Sequence, residues 1–292
     1  MQAFYALSDN CGSDYPFFVK PSPNFFQWLF IYLTIPVSFV TSLAYWESHK
    51  PDINCIKKHK AHMDGKYNSA LSTLISMKKA KEVAKSMGIT FNDLILGMTS
   101  KSLKQHFVKC GDPQTEITLT LPFTFNSIPK DHTKYKYGND FIALPLYLKL
   151  EMDFAKACED AKRKMNQMKN SLLPGGFYML VWWYTACLPA AFTANVLFDS
   201  GKKHTICLSN VPGFTKPVTY GDGGVCTRFF SLISGPGNCA TAISVVSINK
   251  RCQIAFMSDT SQIKDVDAFA DLFNVQIKEL GIEYKANEEG SD

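Results

Sequence analysis

The chain has 292 residues, 46% hydrophobic and 20% charged, with 22 Phe; that is enough apolar material for a large core and excludes a disordered or low-complexity protein. Its net charge of +5 comes from 31 basic and 26 acidic residues, without the dense Lys/Arg stripe that binding a phosphate backbone requires, so nucleic acid is not an expected partner. The nine cysteines are odd in number and scattered, with no C-x-x-C pair, and are expected as reduced thiols facing a cytosol, neither a disulfide frame nor a zinc site.

The first ten residues, "MQAFYALSDN", lack the basic start and apolar run of a secretory signal. Gln2 to Ser8 reads as an amphipathic helix with Phe4, Tyr5 and Leu7 apolar. Because it is entered without a cap or leader, it suggests a fragment whose preceding residues belong to the same domain, an ordinary N-terminal helix being the alternative. Asn24 to Trp46, "NFFQWLFIYLTIPVSFVTSLAYW", carries no charge and has the length of about 20 residues that a bilayer crossing needs; Trp28, Tyr32, Tyr45 and Trp46 are rings that favour interfaces. Gln27, Thr34, Pro36, Ser38, Thr41 and Ser42 weaken it as a span. Pro36 is expected to break or kink it into two arms of about ten residues, each about 15 Å long. Hydropathy leaves three readings: a single span, a shallow hairpin or interfacial helix, and a core segment.

Beyond it the pattern is that of a mixed α/β protein. Helices are expected at Ser76 to Met87 and at Thr90 to Val108, the latter with Leu94, Ile95, Met98 and Phe107 on its apolar face and "GDP" as its stop. Strands follow at "EITLTLPF" and "DFIALPLYLKL", then a polar helix at Met152 to Lys169 and a nearly charge-free helical stretch from Phe177 to Leu197. Further strands are expected near Thr205 to Ser209, Val225 to Ile233, Ala242 to Ile248 and Cys252 to Ser258. A last helix runs from Val266 to Leu280, with Gly281 placed to end it. The tail after Lys285 is acidic and expected to fray. No repeat, P-loop, dinucleotide fingerprint or H-E-x-x-H occurs. The glycines of "YGDGGV" and "SGPGNC" read as hairpins or bulges.

One stretch asks for more explanation than structure gives. In "CLSNVPGFTKP" an apolar strand, Thr205 to Leu208, ends in Ser209 and Asn210, and Pro212-Gly213 then reads as a type II turn. Such a turn needs neither polar side chain. Asn92-Asp93 raises the same question: Thr90 with Asp93 fits a capping box, which accounts for Asp93 and leaves Asn92 over.

Read together, "TFNDLILGMTSKSL", "LPFTFNSIP" with "YGND", and "LSNVPGFTKPV", in that order, resemble the C-terminal half of the bifunctional wax ester synthase / diacylglycerol acyltransferase family, over about Met1 to Leu280. The shared features are Asn-Asp at a helix start, a Pro-led strand followed by a Gly-Asn pair, and the Ser-Asn-Val-Pro-Gly segment. One feature departs: where the family usually has Arg after the Pro-led strand, this chain has Asn126 or its neighbours.

The resemblance implies the α/β fold of CoA-dependent (chloramphenicol acetyltransferase-like) acyltransferases, helices on a mixed sheet. It implies an enzyme moving a long acyl chain from acyl-CoA, a substrate and not a cofactor, to diacylglycerol or a fatty alcohol. Residues 61–284 would be its C-terminal domain, residues 1–60 the end of a preceding lobe with the apolar segment 24–46, and residues 285–292 a flexible tail. The family's general base, a His in His-His-x-x-x-Asp-Gly, is expected upstream of Met1. "HKAHMDG", His59 to Gly65, has Lys60 in the catalytic slot and lies too near Asn92 to replace it. Asn92 and Asp93 are then expected at the substrate channel. Ser209 and Asn210 offer hydroxyl and amide donors to a thioester oxygen, or serve only the local backbone. A base before the apolar segment and Asn92 after it must share one site, which favours the shallow hairpin or interfacial reading, with Lys57, Lys58 and Lys60 facing anionic headgroups. That implies membrane association at the cytosolic face, on the endoplasmic reticulum in a eukaryote. The alternative is a non-catalytic lipid- or partner-binding remnant of the same fold.

Overall fold

The computed structural model describes residues 6–9, 11, 17, 24–57, 63–124, 131–134, 141–221, 223–235 and 237–285. Its strands are β1 (Tyr67–Leu71), β2 (Ile75–Ser76), β3 (Glu116–Phe123), β4 (Ile142–Lys149), β5 (Ile206–Phe214), β6 (Thr219–Tyr220), β7 (Gly224–Val225), β8 (Thr241–Ile248) and β9 (Arg251–Asp259). Seven of them form one sheet in the order β1-β9-β8-β5-β3-β4, with β2 also on β9. β3, β5 and β8 run parallel to their neighbours in this series, and the outer pairs β3/β4, β8/β9 and β1/β9 are antiparallel. The mixed sheet expected from the sequence is thus present. β8 is buried at every position except Ser247, as a strand covered on both faces must be.

Helices α1 (Phe25–Ser48), α2 (Met77–Ser86), α3 (Phe91–Lys109), α4 (Phe154–Lys169), α5 (Leu173–Cys187), α6 (Ala190–Ser200) and α7 (Val266–Glu279) complete the chain. Caps set the starts of several: Ser76 accepts from Lys79 N–H, Asp153 from Ala155 and Lys156 N–H, and Asp265 from Ala268 N–H. α3 is the central helix, buried from Asp93 through Ser100 and packed against α4 and α7. Gly97 permits the α4 approach, since a Cβ there would lie 2.3 Å from Cys158 Sγ. From α7, Phe269 and Phe273 pack on Phe256 of β9 at 5.8 and 4.8 Å between ring centroids; each such ring contributes about 1.5–3 kcal/mol by leaving water.

Four expectations need correction. The Pro212-Gly213 turn is absent: β5 runs straight through these residues to Phe214, with a register shift against β8 between Val211 and Phe214. β5 pairs with β3 only at Ile206 and Cys207, so a proline farther along lacks a donor where the sheet no longer asks for one. A bulge absorbs the irregularity, and Gly213 N–H donates to Ser247 Oγ instead. α1 is not broken at Pro36; it is one 24-residue helix containing the proline. Packing carries it across. The hydroxyls of Thr34 and Thr41 donate to the carbonyls of Phe30 and Val37, and α5 lies so close that a Cβ on Gly176 would sit 2.0 Å from Ser38 O.

The third correction concerns Phe177 to Leu197, which is two helices. α5 ends at Cys187, and Pro189 precedes α6, because a residue before proline is pushed out of the helical region. The fourth is the strand at Val225 to Ile233. Only Val225 is in a strand, in the β6/β7 hairpin that "YGDGGV" makes, and 226–235 lacks regular structure. Phe230 and Leu232 stand exposed there, so their β-propensity has no sheet face to fill.

Among the described residues no helix is long and apolar enough to cross a membrane, so the single span drops out of the three readings for α1. Its C-terminal half is core, with Phe39, Leu43, Tyr45 and Trp46 packed on the buried cluster. Its N-terminal half leaves Phe25, Phe26, Phe30 and Leu33 exposed. The expected helix Gln2 to Ser8, and the expected tail, lie mostly outside the described residues.

Replacing Gly176 by Val should destabilise the protein by about 1–3 kcal/mol or more through overpacking, with Gly175→Val, which meets nothing within 4 Å, costing much less; denaturant midpoints of the two variants check this.

Candidate active site

Thr90 and Asp93 form the capping box read from the sequence. Asp93 N–H donates to Thr90 Oγ1 at 3.2 Å, and Asp93 Oδ2 accepts from Thr90 N–H at 2.9 Å and Thr90 Oγ1 at 2.8 Å. Asp93 is buried, and these bonds occupy it at the start of α3. Asn92, its neighbour, turns elsewhere: its Oδ1 accepts from Asn210 Nδ2 at 3.2 Å. Two residues 118 apart in sequence, both singled out above, thus meet where the N-terminus of α3 faces β5.

The pair lies on the wall of a cavity of about 180 Å³ whose other walls include Leu121, Leu144, Met165, Met168 and Leu208. Side chains alternate along a strand, so Leu208 and Asn210 both line it and Ser209 between them does not. Ser209 is buried in β5 opposite Ser244 of β8. Of the four residues expected at the channel, the structure brings Asn92 and Asn210 together, assigns Asp93 to the helix cap and sets Ser209 apart from the cavity.

The chemistry follows from the inventory. The contact uses one amide hydrogen of Asn210, leaving one there and two on Asn92 for a carbonyl oxygen. Among the described residues Lys169 is the cavity's one ionisable lining residue, and no described His, Asp or Glu lines it. The walls suit an alkyl chain and the amides suit a carbonyl, but the cavity's described lining offers nothing poised to take a proton near neutral pH. Met165, Met168 and Lys169 were not singled out from the sequence, where they read only as one side of a polar helix. Asn126, Gly138 and Asn139 lie outside the described residues, as do Lys58, His59, Lys60 and His62.

A second hollow of about 460 Å³ is lined by Ser48, Asp52, Asn54, Glu116 and Tyr147, among others. It is larger and holds carboxylates, but it shares no residue with the Asn92–Asn210 cavity. Beside it runs a buried polar network that the sequence did not disclose. Asp52 accepts from Thr118 N–H at 2.7 Å and from Thr205 Oγ1 at 2.6 Å, and burial raises its pKa against those bonds. His49 Nδ1–H donates to Tyr45 O at 2.7 Å, and the ring stacks on Tyr147 at 4.1 Å. His204 is pushed down to about 3 by burial and then by the charge of Lys57, so it is neutral. The ring nitrogens His49 Nε2 and His204 Nδ1 are buried without a partner among the described residues. A ligand position at the carboxyl end of parallel strands is the general expectation for such sheets, which favours the Asn92–Asn210 cavity over this hollow.

Residues 137–281 match the WS/DGAT C-terminal domain family. Among solved structures the fold is shared with a wax ester synthase/diacylglycerol acyltransferase from Marinobacter aquaeolei VT8, at a TM-score of 0.56 and 15% identity over 85% of this chain and 57% of that one. The first condensation domain of the CDA synthetase gives a TM-score of 0.56 and 14% identity over 88% of this chain and 53% of that one. The epimerization domain from the third module of tyrocidine synthetase B gives 0.52 and 14% over 90% and 60%. The chain therefore spans between half and three-fifths of the length of each. No curated protein matches it.

Substituting Asp93 by Ala should cost about 1–2 kcal/mol, the loss of a buried cap, whereas Asn92→Ala should cost well under that, since Asn92 is half-exposed and its recorded bond is long. Equal losses in urea unfolding of the two variants would show Asn92 to be part of the helix start.

Proposed function

We propose, from its membership of the WS/DGAT C-terminal domain family over residues 137–281, that the chain is the C-terminal part of an acyl-CoA-dependent O-acyltransferase acting on diacylglycerol or a long-chain alcohol. The observation that carries this is the Asn92–Asn210 contact beside an apolar cavity: an alkyl chain fills the cavity and the amides hold the thioester carbonyl, favouring the charge it acquires when the acceptor oxygen attacks. The acceptor's proton goes to a histidine outside this cavity's described lining. No metal or cofactor takes part in this scheme.

Both substrates suit a membrane surface, where the acceptor dissolves and acyl-CoA arrives from the cytosol. Support comes from the exposed rings of α1, α5 and α6: Phe26, Phe30, Trp182, Trp183, Phe192 and Phe198. Lys203, at the foot of this helical group, lies 4.5 Å from the Trp46 ring centre and puts a cation near headgroup level. The second reading, a lipid-binding remnant, is favoured by the lack of a base among the cavity's described lining residues.

Acyl-CoA consumption by purified protein with diacylglycerol or hexadecanol separates the two. The expected result is no turnover by residues 1–292 alone, and turnover once a lobe carrying His-His-x-x-x-Asp-Gly is joined to it. In that active form Asn92→Ala and Asn210→Ala should each lower kcat by about 10²-fold, the scale of removing one oxyanion donor. Inactivity of the joined protein favours the remnant. For the surface, Phe26→Asp with Phe30→Asp should weaken flotation with phosphatidylcholine/phosphatidylserine vesicles at least tenfold; unchanged flotation overturns membrane insertion by α1.

A further inference from the structure

Three soft or borderline ligand atoms converge at residues that line neither hollow. The donor atoms of Cys55, His106 and Cys110 all lie within 4.8 Å of one another. His106 and Cys110 occupy one face of the last turn of α3 by their spacing of four, and Cys55 comes from the segment after α1. We propose that Cys55, His106 and Cys110 form a zinc-binding site that fastens this segment to the C-terminal end of α3.

The distances fit the ion. A tetrahedral zinc with bonds of about 2.3 Å to sulfur and about 2.0–2.1 Å to nitrogen holds neighbouring donors about 3.5–3.8 Å apart. Cys110 Sγ and His106 Nε2 stand 3.6 Å apart, so closing the site needs Cys55 Sγ to move by no more than a rotamer adjustment. Two thiolates with an imidazole select zinc over the hard cations magnesium and calcium. Binding replaces the two S–H bonds by S–Zn bonds and releases both protons to solvent, with no oxidant or reductant; water takes the fourth position, on the side where Cys110 is exposed.

The surroundings hold the ligands in place. Asn54 Oδ1 accepts from Ile56 and Lys57 N–H at 3.1 and 2.8 Å, fixing the bend that contains Cys55. Asp112 Oδ2 accepts from Cys55 N–H, after Gly111, at φ +70°, turns the chain back beyond Cys110. The His106 ring is set edge-on against Phe269 at 5.5 Å. Ligand orientation of this kind, built before the ion arrives, is what gives such sites their affinity. The pairing is invisible in sequence because Cys55 lies far from His106 and Cys110, and no C-x-x-C spacing marks it.

The test is metal content and cobalt spectroscopy on the full chain, purified under reducing conditions and exchanged against zinc or cobalt. One zinc per chain is expected. Cobalt should give thiolate-to-metal charge-transfer bands with the intense visible bands of tetrahedral coordination. Cys55→Ser, Cys110→Ser and His106→Gln should each lose stoichiometric metal, and Cys187→Ser, at an exposed cysteine elsewhere, should keep it. As a check that does not depend on the variants folding, zinc should slow iodoacetamide labelling of Cys55 and Cys110 in the unaltered chain but not of Cys187. Absence of cobalt bands, equal labelling with and without zinc, or a Cys55–Cys110 disulfide in metal-free peptide maps of protein purified without reductant and unable to take up zinc after reduction would each overturn the proposal.

Discussion

The half-buried carboxylate of Asp52 is the fastening on which the middle of the sheet depends. β3 and β5 are parallel and share only two registered pairs, Leu119 with Ile206 and Thr120 with Cys207, fewer than a parallel contact between central strands normally has. Asp52 bridges the beginning of this contact by accepting from Thr118 and Thr205, while Thr205 N–H donates to Thr118 O at 2.9 Å. A carboxylate out of water is costly unless several donors meet it; here three do, counting Thr118 Oγ1 at 3.1 Å. The donors counter part of the burial, which still raises the carboxyl's pKa, and in the same act set the two strands in step. Asn210 lies a few residues along β5 from that point, so its meeting with Asn92 rests on the alignment that Asp52 enforces.

Asp52 also belongs to the segment that follows α1, and this joins the apolar helix to the sheet. The last turns of α1 are packed against core residues, its first turns are apolar and unburied, and Gly176 brings α5 against it without a side chain between them. Hydropathy had treated the stretch as one unit needing one environment. The structure gives its halves two environments, with the helix continuous through the proline and held against α5 just beyond it, at Ser38, Phe39 and Ser42.

The sequence disclosed the parts whose cause is local. The capping box of Thr90 and Asp93 is made by atoms three residues apart, and the apolar spacing of α7 buries Phe269 and Phe273 as a 3.6-residue period requires. What it could not disclose is fixed at a distance. Pro212-Gly213 has every local mark of a turn, yet the strand passes through it as an irregularity between pairs that β8 holds at Val211 and Phe214, where β3 has already departed. Ser209 and Asn210 look equivalent as two adjacent polar residues; only the direction of the β5 pleat separates them, and that is set by β8. Leu188-Pro189 is the reverse case, a local break that proline marks within a uniformly apolar stretch. Asp52 and Cys55 sit in an irregular connection, and their partners lie 50 or more residues away, so neither gives a local signal.

In the proposed reaction the Asn92–Asn210 cavity is the half that holds the carbonyl: its amide hydrogens stand at the edge of an apolar hollow, and the base that an attacking hydroxyl needs is not among its described lining residues. Those requirements are separable in space: the groups that hold the oxygen approach the thioester from one direction and the base that deprotonates the acceptor from another, since the acceptor must lie between base and carbonyl carbon. A fold can therefore place them on different lobes, with the substrate sandwiched between. A lobe that holds the carbonyl is best built on a rigid edge, and the carboxyl end of a parallel strand facing a capped helix start is such an edge. The same arrangement explains why Asp93 is buried and spent on the cap: it fixes the first turn of α3, and with it the direction in which Asn92 points.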